Sequence, residues 1–433
     1  MTRKTLRTLW PTALALSLAA CGGGGGGDDD KGSGGGQLPT PTAYTKQWGT
    51  ASNETIMALK TDGQGNVYVF GMTAGTLSGQ SSRGGVDLVL TKYGPDGQRA
   101  WERQFGSSGN DEAGGITVDA QGRIIVAATV QGSVEGAPHA GGSDVLVAAF
   151  GSDGQRLWTR QWGTSGGDVG KAVAAAQSGE IFVTGQRNGG ALLVLKLAAD
   201  GSTVADLSRA EDTATEGHGI AVSGSSFYVT GKTTHGMDGK SYAGGQGDAF
   251  ITKRRTSDGT REWTDLIGTA ADEVARGLAM DASGNVLLTG YTHGALGGGT
   301  ADSRGDIFVA KYNASGTRQW LQRTGSPAED AGFAIATDAQ GNAYVAGHSA
   351  GSFAGTTALG NVDMVLLKYD GGGNPLWVRR LGSALADTAW AVATDAQARV
   401  YLGGQSLGAV DGLVSQGGID MVLARYDASG NKQ

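Results

Sequence analysis

Apolar residues recur along this chain in short, dense runs. Val67 to Gly71 reads VYVFG and Asp144 to Phe150 reads DVLVAAF, apolar at nearly every place, without the alternation of a sheet that has one wet face. Such runs predict strands buried on both sides. The runs are too short for helices and are bounded by Gly, Asp, Asn and Ser, the residues of tight turns. In one stretch the pattern predicts strands over Val274–Asp281, Asn285–Gly290, Asp306–Tyr312 and Arg318–Leu321. The links have their own chemistry. Asp62-Gly65-Asn66, Asp281-Gly284-Asn285 and Asp338-Gly341-Asn342 place an Asp that can bond the backbone two residues on and a Gly suited to φ > 0. Asp96-Gly97, Asp153-Gly154 and Ser315-Gly316 do the same between third and fourth strands.

This unit is written seven times. Trp48, Trp101, Trp158, Trp263, Trp320 and Trp377 each close a similar stretch, with Leu207 at the equivalent place, in steps of 53, 57, 49, 56, 57 and 57 residues. A four-stranded unit sandwiched between its own copies predicts an all-β fold, a seven-bladed β-propeller of four-stranded blades. The first strands (GGITV, GKAVA, RGLAM, GFAIA, TAWAV) are rich in Ala and Gly, which suits the crowded centre. The copy from Asp387 to Gly430 holds three strands, while Tyr44 to Trp48 (YTKQW) is a fourth strand with no copy before it. The N-terminal strand is therefore expected to pair with the last blade and close the ring. The fourth copy departs most, with Leu207 for Trp and no Asp at its first hairpin.

The recurring G-G-x-D-apolar-x-apolar-x-K-Y stretches, at Gly84 (GGVDLVLTKY), Gly245 (GQGDAFITKR), Ser303 (SRGDIFVAKY), Gly360 (GNVDMVLLKY) and Gly417 (GGIDMVLARY), come with D-A-x-G-N-apolar-Y-apolar-x-G and the closing Trp. Together they resemble the SBBP family of seven-bladed propeller repeats over Tyr44 to Gln433. The resemblance implies the fold and an extracytoplasmic setting; the family has no one defined activity.

The first segment reads as an address. Arg3, Lys4 and Arg7 precede an apolar run from Leu9 to Ala20, the form of an export signal over residues 1–20. The run ends in Leu18-Ala19-Ala20-Cys21, which resembles the lipobox of bacterial lipoproteins, so Cys21 is expected to carry the lipid. Residues 21–42 are Gly- and Asp-rich with no periodic apolar residue, a flexible tether ahead of a propeller over 43–433. Gly22 after the cysteine resembles the sorting pattern for the outer membrane. Whether such a lipoprotein faces the periplasm or the outside is open, and Asp28-Asp29-Asp30 faintly resembles surface-export tethers.

Composition narrows the function. A net charge of −7 argues against an electrostatic grip on nucleic acid. A single cysteine excludes a disulfide framework, and 17% charged against 39% hydrophobic residues excludes a disordered chain. Carboxylates stand eight residues before the first-hairpin position in six copies: Glu54, Asp111, Asp168, Glu273, Asp330 and Asp387. One reading is an acidic ring at the channel mouth holding Ca²⁺ or a cationic ligand. The other, favoured by the repetition, is that each accepts backbone N–H groups at a strand start. Asp87, Asp144, Asp248, Asp306, Asp363 and Asp420 open the third strands and read as turn-bonding residues. His139, His218, His235, His293 and His348 show no metal-ligand spacing, and no hydrolase, zinc or phosphate-loop motif occurs. Tyr312 to Trp320 (YNASGTRQW) weakly resembles the docking motif of quinoprotein propellers, with packing the better assignment. The expected function is a non-catalytic, lipid-anchored binding or scaffolding module of the bacterial envelope. Its partner would be an envelope protein or a glycan met by loops such as Val130–Gly142, Lys232–Gly247 and Thr292–Gly305, and the ring would be monomeric. The alternative is a Ca²⁺-dependent hydrolase or lyase using the acidic mouth.

Overall fold

A computed structural model describes residues 44–202, 204–298, 304–352 and 355–433. The signal segment, Cys21 and the tether lie outside the described residues. Strand β1 (Lys46–Trp48) comes first. Blade one is β2 (Glu54–Thr61), β3 (Val67–Thr73), β4 (Asp87–Tyr93) and β5 (Arg99–Phe105). Blade two is β6 (Glu112–Val118), β7 (Ile124–Val130), β8 (Asp144–Phe150) and β9 (Arg156–Trp162). Blade three is β10 (Val169–Ala175), β11 (Ile181–Arg187), β12 (Ala191–Leu197) and the short β13 (Val204–Asp206). Blade four is β14 (Thr215–Ser223), β15 (Ser226–Thr233), β16 (Asp248–Arg255) and β17 (Arg261–Ile267). Blade five is β18 (Glu273–Met280), β19 (Val286–Thr292), β20 (Asp306–Tyr312) and β21 (Arg318–Thr324), each within three residues of the expected bounds. Blade six is β22 (Asp330–Thr337), β23 (Ala343–Ser349), β24 (Asp363–Tyr369) and β25 (Pro375–Leu381). Blade seven takes β26 (Asp387–Thr394), β27 (Val400–Ser406) and β28 (Asp420–Tyr426) from the C-terminal end and β1 as its outermost strand. The result is a seven-bladed β-propeller, all sheets antiparallel and four-stranded.

The two-sided burial has a direct cause. Alternate residues of one strand feed two different cores: Tyr68 and Phe70 pack with Ile124 and Val126 of blade two, while Val67 and Val69 pack with Tyr401 and Leu423 of blade seven. Seven such clusters fill the seven junctions between neighbouring blades. The hairpin chemistry is as expected. Asp62 Oδ1 accepts from the Gln64 and Asn66 N–H groups, its Oδ2 accepts from Asn66 Nδ2 and the Tyr68 hydroxyl, and Gly65 takes φ 80°.

The tryptophans fasten blade to blade. Trp101 lies over Gly154 of the next blade, where an added Cβ would come 2.7 Å from the indole, and its Nε1 donates to the Ser152 carbonyl at 3.1 Å. Trp263 over Gly316, Trp320 over Gly373 and Trp377 over Gly430 repeat the contact. This corrects the reading of Trp48. The residue over Gly97 of blade one is Tyr44, and Trp48 pairs with Met421 where Phe105 pairs with Leu88. Tyr44 to Trp101 is a step of 57 residues, the same as Trp101 to Trp158, so the irregular 53 disappears. The divergent copy is blade three: Leu207, just past β13, meets Gly259, and the first hairpin of the same blade has Ala176 where others have Asp; the hairpin of blade four at Ser223-Gly224 lacks the Asp as well. Blade four has its own device: Arg254, fully buried at the place held elsewhere by Tyr93, Tyr312 or Tyr369, forms a two-pronged ion pair with Asp212 at 2.7 and 2.8 Å.

Candidate functional site: the mouth of the ring

The six carboxylates stand where the sequence puts them, at the starts of the inner strands, but they are not open to the mouth. All six are between 0 and 2% exposed. Each accepts from the N–H and hydroxyl of a Ser or Thr four residues earlier: Thr50 to Glu54, Ser107 to Asp111, Thr164 to Asp168, Thr269 to Glu273, Ser326 to Asp330 and Ser383 to Asp387. Glu54 and Glu273 also accept from Thr73 and Thr292 at 2.8 and 2.7 Å. Each carboxylate thus ties the loop entering its blade to the inner strand. Burial pushes Asp111 up to about 6, against the pull of its bonds to Ser107 and Gln131, and raises Glu273, Asp330 and Asp387 in the same direction. A Ca²⁺ ion at this ring would have to displace those donors. Among the described residues no three His, Cys, Asp or Glu side chains gather closely enough to hold a metal.

The second set of aspartates bonds turns. Asp87 accepts from the Arg83 N–H and Gln104 Nε2, Asp144 from Ala140 and Gln161, and Asp420 from Gln416 and Gln47. Gln104, Gln161 and Gln47 also donate to the carbonyls of Gly75, Gly132 and Gly408, so one side chain holds together the third strand and the loop beside it.

The open chemistry lies farther along the inner strands, at a feature the sequence reading missed. Every inner strand carries a β-bulge at the same place, between Ile56 and Ala58 in β2 and at the matching positions of β6, β10, β14, β18, β22 and β26. A bulge sets two residues against one, leaves the extra residue out of the ladder and re-aims its side chain. The seven bulged residues are Met57, Gly114, Lys171, His218, Arg276, Phe333 and Trp390, all partly exposed and all different. They stand three places past each strand-start position, inward along the strand from the face at which the long loops between second and third strands leave.

Their order around the ring separates two chemistries. Blades three to five supply Lys171, His218 and Arg276; blades six, seven and one supply Phe333, Trp390 and Met57. Lys171 Nζ pairs with Glu112 of blade two at 2.6 Å. His218 bonds the Ala275 carbonyl through Nδ1 at 2.9 Å, with Nε2 3.3 Å from Glu216. Burial, with the Arg276 charge beside it, lowers the pKa of His218, and its ring holds Glu216 down at about 2. Arg276 lies over the Tyr291 ring at 5.9 Å, its Nε buried without a hydrogen-bond partner. His293 stands edge-on to Tyr291 at 5.6 Å, its Nδ1 likewise unpartnered. Phe333 packs against Trp390 at 4.3 Å and His348 at 5.2 Å, and the Trp390 Nε1 has no partner. His139 and His235 stay in their loops, bonded to Gln161 and Thr234. Lining the seven copies up on their strand-start residues would have shown the signal: one position that never repeats in a strand that otherwise does.

No family model matches the chain. A curated relative, the regulatory protein FlaEY of Caulobacter vibrioides, is 25% identical over 331 residues, 65% of this chain. The chain spans about a third of that relative's length (34%). Among solved structures, the Pan2 WD40 domain of Neurospora crassa superposes with a TM-score of 0.50 at 10% identity, covering 86% of this chain and 89% of that one. The Dos1 propeller gives 0.49 at 11% identity, over 91% and 97%. At these identities the likeness is one of fold, and the chain is a seven-bladed β-propeller.

Proposed function

We propose that this protein is a non-catalytic binding module, a propeller carried on a lipid at Cys21 in the bacterial outer membrane, facing the periplasm or the outside, that recognises an envelope protein or glycan through the bulge-bearing face of its ring. The carrying observation is the ring of seven unlike residues set at the bulges of seven like blades. A scaffold that repeats its hairpins, its carboxylates and its interblade tryptophans, yet holds a different residue at each bulge, has been varied where variation leaves the ladders intact. The acidic mouth on which a Ca²⁺-dependent hydrolase or lyase would draw is taken up by protein donors, which favours binding over catalysis. The description of the Caulobacter relative as a regulatory protein agrees with a non-catalytic role.

The test pairs location with recognition. Wild type should incorporate labelled palmitate and sediment with outer membranes, and Cys21→Ser should do neither. Crosslinked capture of the lipidated protein should recover a stoichiometric partner or glycan that Phe333→Ala releases while the ring stays folded. Turnover of an envelope substrate by the purified ring, lost on Asp111→Asn, would overturn the binding reading.

A further inference from the structure

The bulge ring also carries information about its ligand, and that information rests on the binding reading above. Of the three basic bulge residues, two are answered within the protein: Lys171 by Glu112, and His218 by Glu216 and the Ala275 carbonyl. Arg276 has only the charge of Glu216 near it: it makes no hydrogen bond or ion pair among the described residues, and Tyr291 supports it from one side. A guanidinium held on an aromatic ring with its donors free is arranged for a planar, bidentate acceptor such as a carboxylate. The next two bulges around the ring are Phe333 and Trp390, packed on each other and partly exposed, with the indole nitrogen itself buried and without a hydrogen-bond partner. Inner strands of blades five and six lie close enough that a Cβ on Gly277 would come 2.9 Å from the Ala334 Cα, so Arg276 and the aromatic pair are neighbours on one arc.

We propose that this arc, Arg276 with Tyr291 on one side and Phe333 with Trp390 on the other, binds a carboxylated sugar residue, a hexuronate of an acidic envelope glycan. The carboxylate meets Arg276, and the apolar face of the pyranose lies on the Phe333–Trp390 pair. A pyranose uronate carries both features on one six-membered ring, which matches a cation without a hydrogen-bond partner and an aromatic platform on adjoining blades. Pockets of this kind take affinity from the apolar platform and selectivity from the few polar groups.

Trigalacturonate and its methyl ester differ in the carboxylate charge and one methyl group per residue and separate the parts. Titrated calorimetrically into the full lipidated chain in detergent, the acid should bind at least tenfold more tightly than the ester. Arg276→Gln should remove that tenfold difference with the melting temperature within about 2 °C of wild type, Arg276→Lys should restore part of it, and Trp390→Ala should weaken acid and ester alike. Equal affinity for acid and ester, or an Arg276→Gln variant that keeps its preference, overturns the proposal. Binding of a tripeptide ending in phenylalanine carboxylate with no binding of trigalacturonate overturns the sugar and leaves the arc as a peptide-terminus site. A protein that binds neither yet still captures its envelope partner overturns the ligand and spares the binding module.

Discussion

Tyr44 is where the ring is most open to test. It is 1% exposed, meets Tyr401 edge-on at 5.5 Å, carries the Arg425 guanidinium 4.0 Å from its centroid, and covers Gly97 of blade one. Tyr44→Ala removes one aromatic side chain from the junction of blades seven and one. Truncating a buried aromatic to alanine costs about 3–5 kcal/mol, which includes the edge-to-face and cation–π interactions that the ring made. The ring from Tyr44 to Gln433 has 390 residues. At about 2 cal/mol/K per residue its unfolding entropy is roughly 0.8 kcal/mol/K, so a destabilisation of about 4 kcal/mol lowers the melting temperature by about 5 °C. Tyr44→Trp, which copies Trp101, Trp320 and Trp377 into the same seat, should stay within about 1 °C. Beginning the chain at Gly49 should cost more than beginning it at Pro41, because it also removes the three β1–β28 register pairs and the Gln47 bonds to Gly408, Asp420 and Val410. It leaves β28 as a bare edge, which favours pairing between molecules. Scanning calorimetry and size-exclusion light scattering read both effects. If Tyr44→Ala melts within 1 °C of wild type, or the version beginning at Gly49 stays monomeric and as stable as the one beginning at Pro41, the closure argument fails.

Asp212→Ala strands the fully buried Arg254 and should destabilise the ring by about 3–5 kcal/mol in denaturant titration, whereas Arg254→Tyr combined with Asp212→Ala should recover most of the loss. Gly316→Ala meets two obstacles at once, φ 86° and the Trp263 ring 2.7 Å from the new Cβ, and should cost about 2 kcal/mol. Asp111, at about 6 when folded against 3.8 ordinarily, binds its proton more tightly in the folded than in the unfolded chain. Its contribution to stability therefore grows as pH falls from about 6 to about 4, by on the order of 3 kcal/mol, and the stability difference between wild type and Asp111→Asn should move in favour of wild type across that window. Millimolar Ca²⁺ should leave the melting temperature unchanged; a rise of several degrees that Asp111→Asn and Asp330→Asn abolish would reinstate the cation ring.

The fold was legible in this sequence because each blade states its turns chemically and each strand states its two-sided burial. Asp62, Asp281 and Asp338 with their glycines mark hairpins whatever lies around them, and a run such as DVLVAAF has nowhere to go but between two sheets. Trp48 misled because YTKQW holds two aromatics and the eye takes the tryptophan. The contact with Gly97 shows that Tyr44 occupies the interblade seat, and the 57-residue step from Tyr44 to Trp101 is its trace in the sequence. Leu207 was placed correctly in the interblade seat over Gly259, and the step of 49 residues reflects the short outer strand and the compact loop of blade three. The acidic residues were found at their places and in the state that repetition favoured, bonded to backbone N–H groups at strand starts, while the depth of their burial depends on the loop that folds back over them. Ser107 and Thr164, four residues ahead, are the trace that loop leaves in the sequence. The bulges were invisible to any search for alternation, because an extra residue in a strand breaks the period of two that the search relies on.

The latch between β1 and β28 has a consequence for how the ring is made. Lys46 and Leu423 are partners though 377 residues apart, the most remote strand pairing among the described residues. Bringing the ends of a free coil of that length together would cost about 5 kcal/mol in entropy. Hairpins and neighbouring blades form from contacts within one or two repeats, so by the time β28 leaves the synthesis or export machinery the stacked blades already curve its partner toward it. Folding of this chain is then an array growing blade by blade with a single long-range event at its end. Until that event β1 waits unpaired, and it is the interval before the last blade arrives, not the assembly of any one blade, that exposes the chain to mispairing with a second copy.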